Sequence, residues 1–211
     1  MSCCYLIGSM PFDFKTEGCA RPAEDDLVIC ADGGYDRAQE QGILPDILVG
    51  DFDSANGYPA DFKGEVVRLV PEKDDTDMLS AAKLGLARGY NRFILLGGYG
   101  GRFDHTVANL QLLSFLLDHG AKAVFYGGGN RIWMIDSETT AISAEKNCYL
   151  SVFAYGGNCS GVTLRGLKYP LEDAELSVSF PIGVSNEFIE NQAVISVKKG
   201  RLLLVLSPKG V

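Results

Sequence analysis

The chain is poor in histidine, has no C-x-x-C pair, no long apolar run and no surplus of positive charge, and each shortage closes off a class of function. With only His105 and His119 beside the scattered Cys3, Cys4, Cys19, Cys30, Cys148 and Cys159, a structural zinc site is not expected. Cys4 and Cys30 sit inside apolar runs, so the cysteines read as reduced and structural. No apolar stretch approaches the roughly 20 residues that a membrane span needs, and the start, Met1-Ser2-Cys3-Cys4, lacks the charged opening and long apolar core of an export signal. The expectation is a soluble, cytoplasmic protein with no membrane partner. The net charge is −8 and no basic stripe offsets it, which argues against nucleic acid as a partner. That charge is unevenly placed: residues 1–136 hold 12 Lys+Arg against 20 Asp+Glu, while residues 137–211 hold seven of each. If the first part binds a polyphosphate, divalent cations must mediate.

What the sequence does hold is apolar residues in ordered patterns. With 211 residues, 46% of them hydrophobic, it can bury a full core as one large domain or two small ones. Short apolar runs at Cys3 to Ile7, Leu27 to Ala31, Ile47 to Val49, Val66 to Leu69, Phe93 to Leu96 and Ala123 to Tyr126 have the length of strands. Helical spacing lies between several of them. It is clearest over Thr76 to Arg88, with Leu79, Ala82, Leu86 and Ala87 on one side, and over Thr106 to His119, with Val107, Leu110, Leu113 and Leu117. Strands alternating with helices indicate a parallel sheet covered on both faces.

From about Ser137 the helical period vanishes. The runs Tyr149 to Ala154, Gly161 to Leu164, Gln192 to Val197 and Leu202 to Leu206 are separated by Gly, Asn and Pro turns. The expected fold class is therefore α/β, a Rossmann-like parallel-sheet domain over residues 1–136 followed by a small all-β sandwich domain over residues 137–211. The second domain is small to stand alone, so it is expected to pack against the first or against a partner subunit.

Four loops between strand and helix carry the chemistry. Asp32-Gly33-Gly34 follows the second strand, where ligands of open parallel sheets bind, and its glycines would let backbone amides approach a phosphate; a turn capped by Asp32 is the competing account. Gly50-Asp51-Phe52-Asp53-Ser54 follows the third, and in an extended chain its alternate positions put both carboxylates on one side. Such oxygens suit magnesium, which keeps several waters and takes one or two carboxylates plus substrate phosphates. In Pro71-Glu72-Lys73-Asp74-Asp75-Thr76-Asp77, capping by Asp74 or Asp75 uses part of the acidic cluster and leaves Asp77 and one neighbour for metal or substrate. Gly97-Gly98-Tyr99-Gly100-Gly101-Arg102-Phe103-Asp104-His105 can wrap a ligand, with Arg102 as a planar fork for phosphate oxygens and Asp104 as a cation contact. His105 reads as a helix-start residue. Convergence of these loops suits phosphoryl-type transfer, which needs metal, positioning and positive charge.

Together, A-D-G-G, G-D-F-D-S, P-E-K-D-D-T-D and G-G-Y-G-G-R-F-D-H resemble the thiamine pyrophosphokinase family in order and spacing, and the tail with Gly183-Val184-Ser185-Asn186-Glu187-Phe188 resembles its second domain more loosely. The resemblance implies an α/β domain that binds Mg-ATP and a β-sandwich domain. It also implies a homodimer with thiamine between one subunit's first domain and the other's second. By position, Asp51, Asp53 and Asp77 match the family's magnesium and catalytic carboxylates, and Asp32 and Arg102 match residues around the phosphates. Asp104 matches a thiamine contact, as do Ser185 and Asn186, and Phe188 falls where a ring would stack on the pyrimidine. Lys73 stands where a neutral polar residue is expected. The implied reaction moves the pyrophosphoryl group of ATP to the thiamine hydroxyl. Two rivals stay open: a nucleotide-sugar glycosyltransferase, whose Asp-x-Asp also holds a metal and a diphosphate, and a sensor that keeps the pocket without turnover.

Overall fold

The apolar runs of the first part become strands with little change of boundary. The computed structural model describes residues 2–52, 62–69 and 75–210, which divide into two compact units, Met1–Gly128 and Gly129–Val211. In the first unit, β1 (Cys4–Ile7), β2 (Leu27–Ala31), β3 (Ile47–Gly50), β4 (Glu65–Arg68), β5 (Arg92–Leu96) and β6 (Lys122–Gly127) pair in parallel in the order β4-β3-β2-β1-β5-β6.

The helices of this unit are α1 (Phe14–Glu17), α2 (Gly34–Glu40), α3 (Asp77–Ala87) and α4 (Phe103–Asp118). Tyr5 and Ile7 of β1 share one apolar cluster with Val28, Cys30, Leu48 and Ala38 of α2. The alternate residues Cys4 and Leu6 are equally buried, and α3 packs on β1, β2 and β3. Burial on both faces explains why these strands read as continuous apolar runs. Each fully buried Leu or Ile stabilises the unit by about 1.5–3 kcal/mol.

The second unit is all-β: β7 (Asn130–Asp136), β8 (Thr139–Ser143), β9 (Cys148–Arg165), β10 (Leu171–Leu176), β11 (Gln192–Ser196) and β12 (Lys199–Pro208). All its pairings are antiparallel. β12 lies between β7 and the first part of β9, while the later part of β9 pairs with β10 and β11, and β11 with β8. The two runs expected at Tyr149 to Ala154 and Gly161 to Leu164 are thus one 18-residue strand. Leu150, Val152, Leu164, Ile195, Leu202 and Leu204 belong to one core shared by both ladders. Among the described residues, no helix is long and apolar enough to cross a membrane.

Candidate active site

The chain winds outward from β1 through β2 and β3 to β4, then returns to the other side of β1 as β5. At such a reversal the loops leaving the two central strands diverge, and a crevice opens beyond their carboxyl ends. A cavity of about 350 Å³ lies there, lined by Gly8 to Met10 after β1, Asp32 after β2, Asp75 to Asp77 at the start of α3, and Gly97, Gly98, Gly100 and Arg102 after β5, with His105 and Asn109 of α4.

Asp32 sits in the left-handed region, with φ 48°, and its N–H donates to the Val49 carbonyl at 2.8 Å, which ties the exit of β2 to β3. Gly33, not Asp32, occupies the N-cap of α2, with no side-chain cap bond. Gly33 and Gly34 are not among the lining residues. Gly34 instead answers to packing: a Cβ on it would lie 2.0 Å from the Ile7 carbonyl oxygen.

Asp51 follows β3, half-buried, and is also not among the lining residues. Phe52, which follows it, has φ 55° and is not extended backbone. Asp53, Ser54, Glu72, Lys73 and Asp74 lie outside the described residues.

Thr76, rather than an aspartate, caps α3, its hydroxyl accepting the Leu79 N–H at 3.2 Å. Asp75 pairs with Lys83 at 2.6 Å and Asp77 is the first residue of α3; both line the cavity. α4 starts three residues earlier than the Thr106 expected, and Arg102 precedes it. The Arg102 guanidinium bonds Asp104 through Nε at 3.2 Å and Nη2 at 2.5 Å. This bond holds the Asp104 carboxyl below the usual carboxylate range and raises Arg102. Asp104 itself does not line the cavity.

In the second unit, Asn186 is buried and its amide is committed. Oδ1 accepts the Tyr169 and Glu187 N–H groups at 3.0 Å each, and Nδ2 donates to the Tyr169 carbonyl at 2.8 Å. That leaves Ser185 exposed, with φ 58°, and Phe188 half-buried against the core. Tyr169, Ile182 and Val184, all exposed, line a neighbouring hollow of about 50 Å³.

Among the described residues, no three His, Cys, Asp or Glu side chains gather to hold a metal ion. The carboxylates lining the cavity, Asp32, Asp75 and Asp77, are nonetheless hard oxygen donors of the kind magnesium takes one or two at a time. Gly8 to Met10 and Asn109 were not anticipated as part of a site. The rule that ligands sit beyond strand ends could have pointed to Gly8, had the strand order been known.

Residues 22–125 match the family profile described as thiamin pyrophosphokinase, catalytic domain, and residues 138–202 that of the thiamin pyrophosphokinase vitamin B1 binding domain. The thiamine pyrophosphokinase of Bacillus subtilis is 29% identical over 192 residues, 87% of this chain and 88% of that protein. The crystal structure of thiamine pyrophosphokinase from Bacillus subtilis superposes with a TM-score of 0.88 at 26% identity, covering 100% of both chains. The thiamin pyrophosphokinase of Geobacillus thermodenitrificans gives 0.81 at 25% identity, over 99% of this chain and 98% of that one. Matched in order by both of the family's profiles and along its whole length by a solved relative, the chain belongs to the thiamin pyrophosphokinase family.

Proposed function

We propose that this chain is a magnesium-dependent thiamine diphosphokinase, transferring the pyrophosphoryl group of ATP to the hydroxyl of thiamine and releasing AMP. The observation that carries this reading is that Asp32 and Arg102, expected around the phosphates, and Asp77, expected as a magnesium and catalytic carboxylate, line one cavity at the strand-order reversal. The hydroxyl oxygen attacks the β-phosphorus, the bond from that phosphorus to the bridging oxygen of AMP breaks, and a carboxylate of the same cavity accepts the hydroxyl proton. Magnesium, when bound, would be held by Asp77 with Asp51 and Asp53 and would neutralise charge on the triphosphate. Arg102 is exposed and pairs with the exposed Asp104, an interaction worth little in water. Substrate phosphates can therefore draw the guanidinium to the transferred group, whose charge it balances.

The thiamine contacts we assign are Asp104 in the first unit and Ser185 and Phe188 in the second, with Asn186 fixing the loop that presents them. The cationic thiazolium suits the acidic first unit. We assign the active form to a homodimer whose sites combine one subunit's first unit with the other's second. Exposed Tyr169, Ile182 and Val184 around one hollow support this, since apolar patches of that kind mark interfaces. Six free cysteines, four of them buried, suit the reducing cytoplasm.

The test is to mix the protein with ATP, magnesium and thiamine. AMP and thiamine diphosphate should form one to one. ADP or inorganic phosphate in their place rejects the reaction, and tight thiamine binding with no AMP identifies a sensor instead. Asp77→Asn should lower kcat at least ~100-fold, as loss of a carboxylate that stabilises the transition state requires.

A further inference from the structure

Three consecutive carbonyls at the end of β5 and just beyond it are pinned. Leu96 O accepts from the Gly8 N–H at 2.8 Å and Gly97 O from the Met10 N–H at 2.9 Å, both backbone donors in the exit loop of β1. Gly98 O accepts from a side chain, the Asn109 Nδ2, at 2.9 Å. A carbonyl needs a donor, so the amide orientation is fixed by chemistry. Asn109 lies on α4 and is 4% exposed, on a helix that also buries Leu112, Leu113 and Leu116. An aliphatic residue would satisfy that packing, and a buried amide costs free energy unless it is bonded. The amide is also why residue 98 is glycine, since a Cβ there would lie 2.5 Å from Asn109 Nδ2.

The bond joins residues 11 apart and so closes the loop that runs from Gly98 through Arg102 into α4. Both Asn109 and Arg102 line the cavity. From this geometry, and resting on the reaction proposed above, we infer that Asn109 is a positioning residue: its amide fixes the Gly98 carbonyl and thereby the path of the glycine loop that delivers Arg102 to the transferred phosphate. It touches no reacting atom. Its effect passes through Arg102, because misplacing a charge-balancing group lowers the rate of the step it serves more than the binding of the ground state.

The test compares the parent with Asn109→Leu, which keeps bulk and suits the helix face, and with Asn109→Asp, which keeps shape and removes the donor. Hydrogen exchange of the segment 97–102 should accelerate at least ~10-fold while exchange elsewhere in α4 is unchanged. In steady state, kcat should fall about 10-fold with KM for ATP and thiamine within about twofold. On an Arg102→Ala background, Asn109→Leu should cost almost nothing further, the non-additivity expected of two residues acting as a unit. Unchanged exchange in both variants, or losses that add in the double variant, overturns the inference. If the parent forms no AMP but the exchange result holds, the assigned reaction fails and the positioning role of Asn109 stands.

Discussion

Asp32 and Phe52 have φ values of 48° and 55°, a left-handed backbone that costs a non-glycine residue about 1–2 kcal/mol. Each follows a strand of the parallel sheet. Gly34, two residues after Asp32, starts α2 directly against the Ile7 carbonyl, at the 2.0 Å a Cβ would have to occupy. A central strand has no room to yield, so Gly34→Ala should destabilise by about 1–3 kcal/mol. Thermal unfolding will measure it, and an unchanged Tm would show that α2 can lift off β1 without cost. That Asp32, Asp77 and Arg102 line one cavity was legible because each stands between a strand of the parallel sheet and a helix, where ligands bind. Relations between neighbours were not. Alternation through Phe52 presumes an extended chain, which φ 55° denies. α3 is capped by Thr76, while Asp75 pairs with Lys83, two helical turns along.

The loop that carries Ser185 is clasped at Glu187, whose carboxylate accepts from Lys168 at 3.0 Å and Lys209 at 2.5 Å. These two lysines lower Glu187 from 4.5 to about 2, the Lys209 bond contributing most. A carboxylate depressed on folding stabilises the native state above its unfolded value and loses that contribution as pH falls through the folded one. Glu187→Gln should therefore lower Tm relative to the parent at pH 6. The gap should close between pH 4.5 and about 2 and shrink in high salt, because the cluster is exposed. A gap that persists at pH 2 would place the effect in packing instead. At this scale the strands of the parallel sheet were readable to within one residue, whereas β12 starts three residues before the expected Leu202 and β7, β8 and β10 were not anticipated. β8 and β10 alternate few apolar residues with exposed polar ones, a pattern that turns also produce. β7 is apolar enough, but its partner begins at Lys199, so nothing local assigns it to a unit.

At the scale of the whole molecule, element types were legible and strand order was not, since the return from β4 to the far side of β1 depends on contacts no short window contains. The reversal is what brings the exits of β1 and β5 to one cavity, and without it Gly8 and Met10 are merely residues after a strand. The proposed shared site makes a prediction of its own. Asp77→Asn and Ser185→Lys subunits, each inactive alone, should recover about a quarter of parental activity when co-expressed, because random pairing of a two-fold dimer makes half hybrids with one intact site each. No recovery would confine each site to a single chain. The placement of β12 between β7 and β9 also bears on how the protein is made. During synthesis β7 and β9 emerge long before the strand that joins them, each with a bare edge able to recruit a stranger's strand. The newborn second unit thus keeps both edges uncovered until residues 199–208 are free to insert.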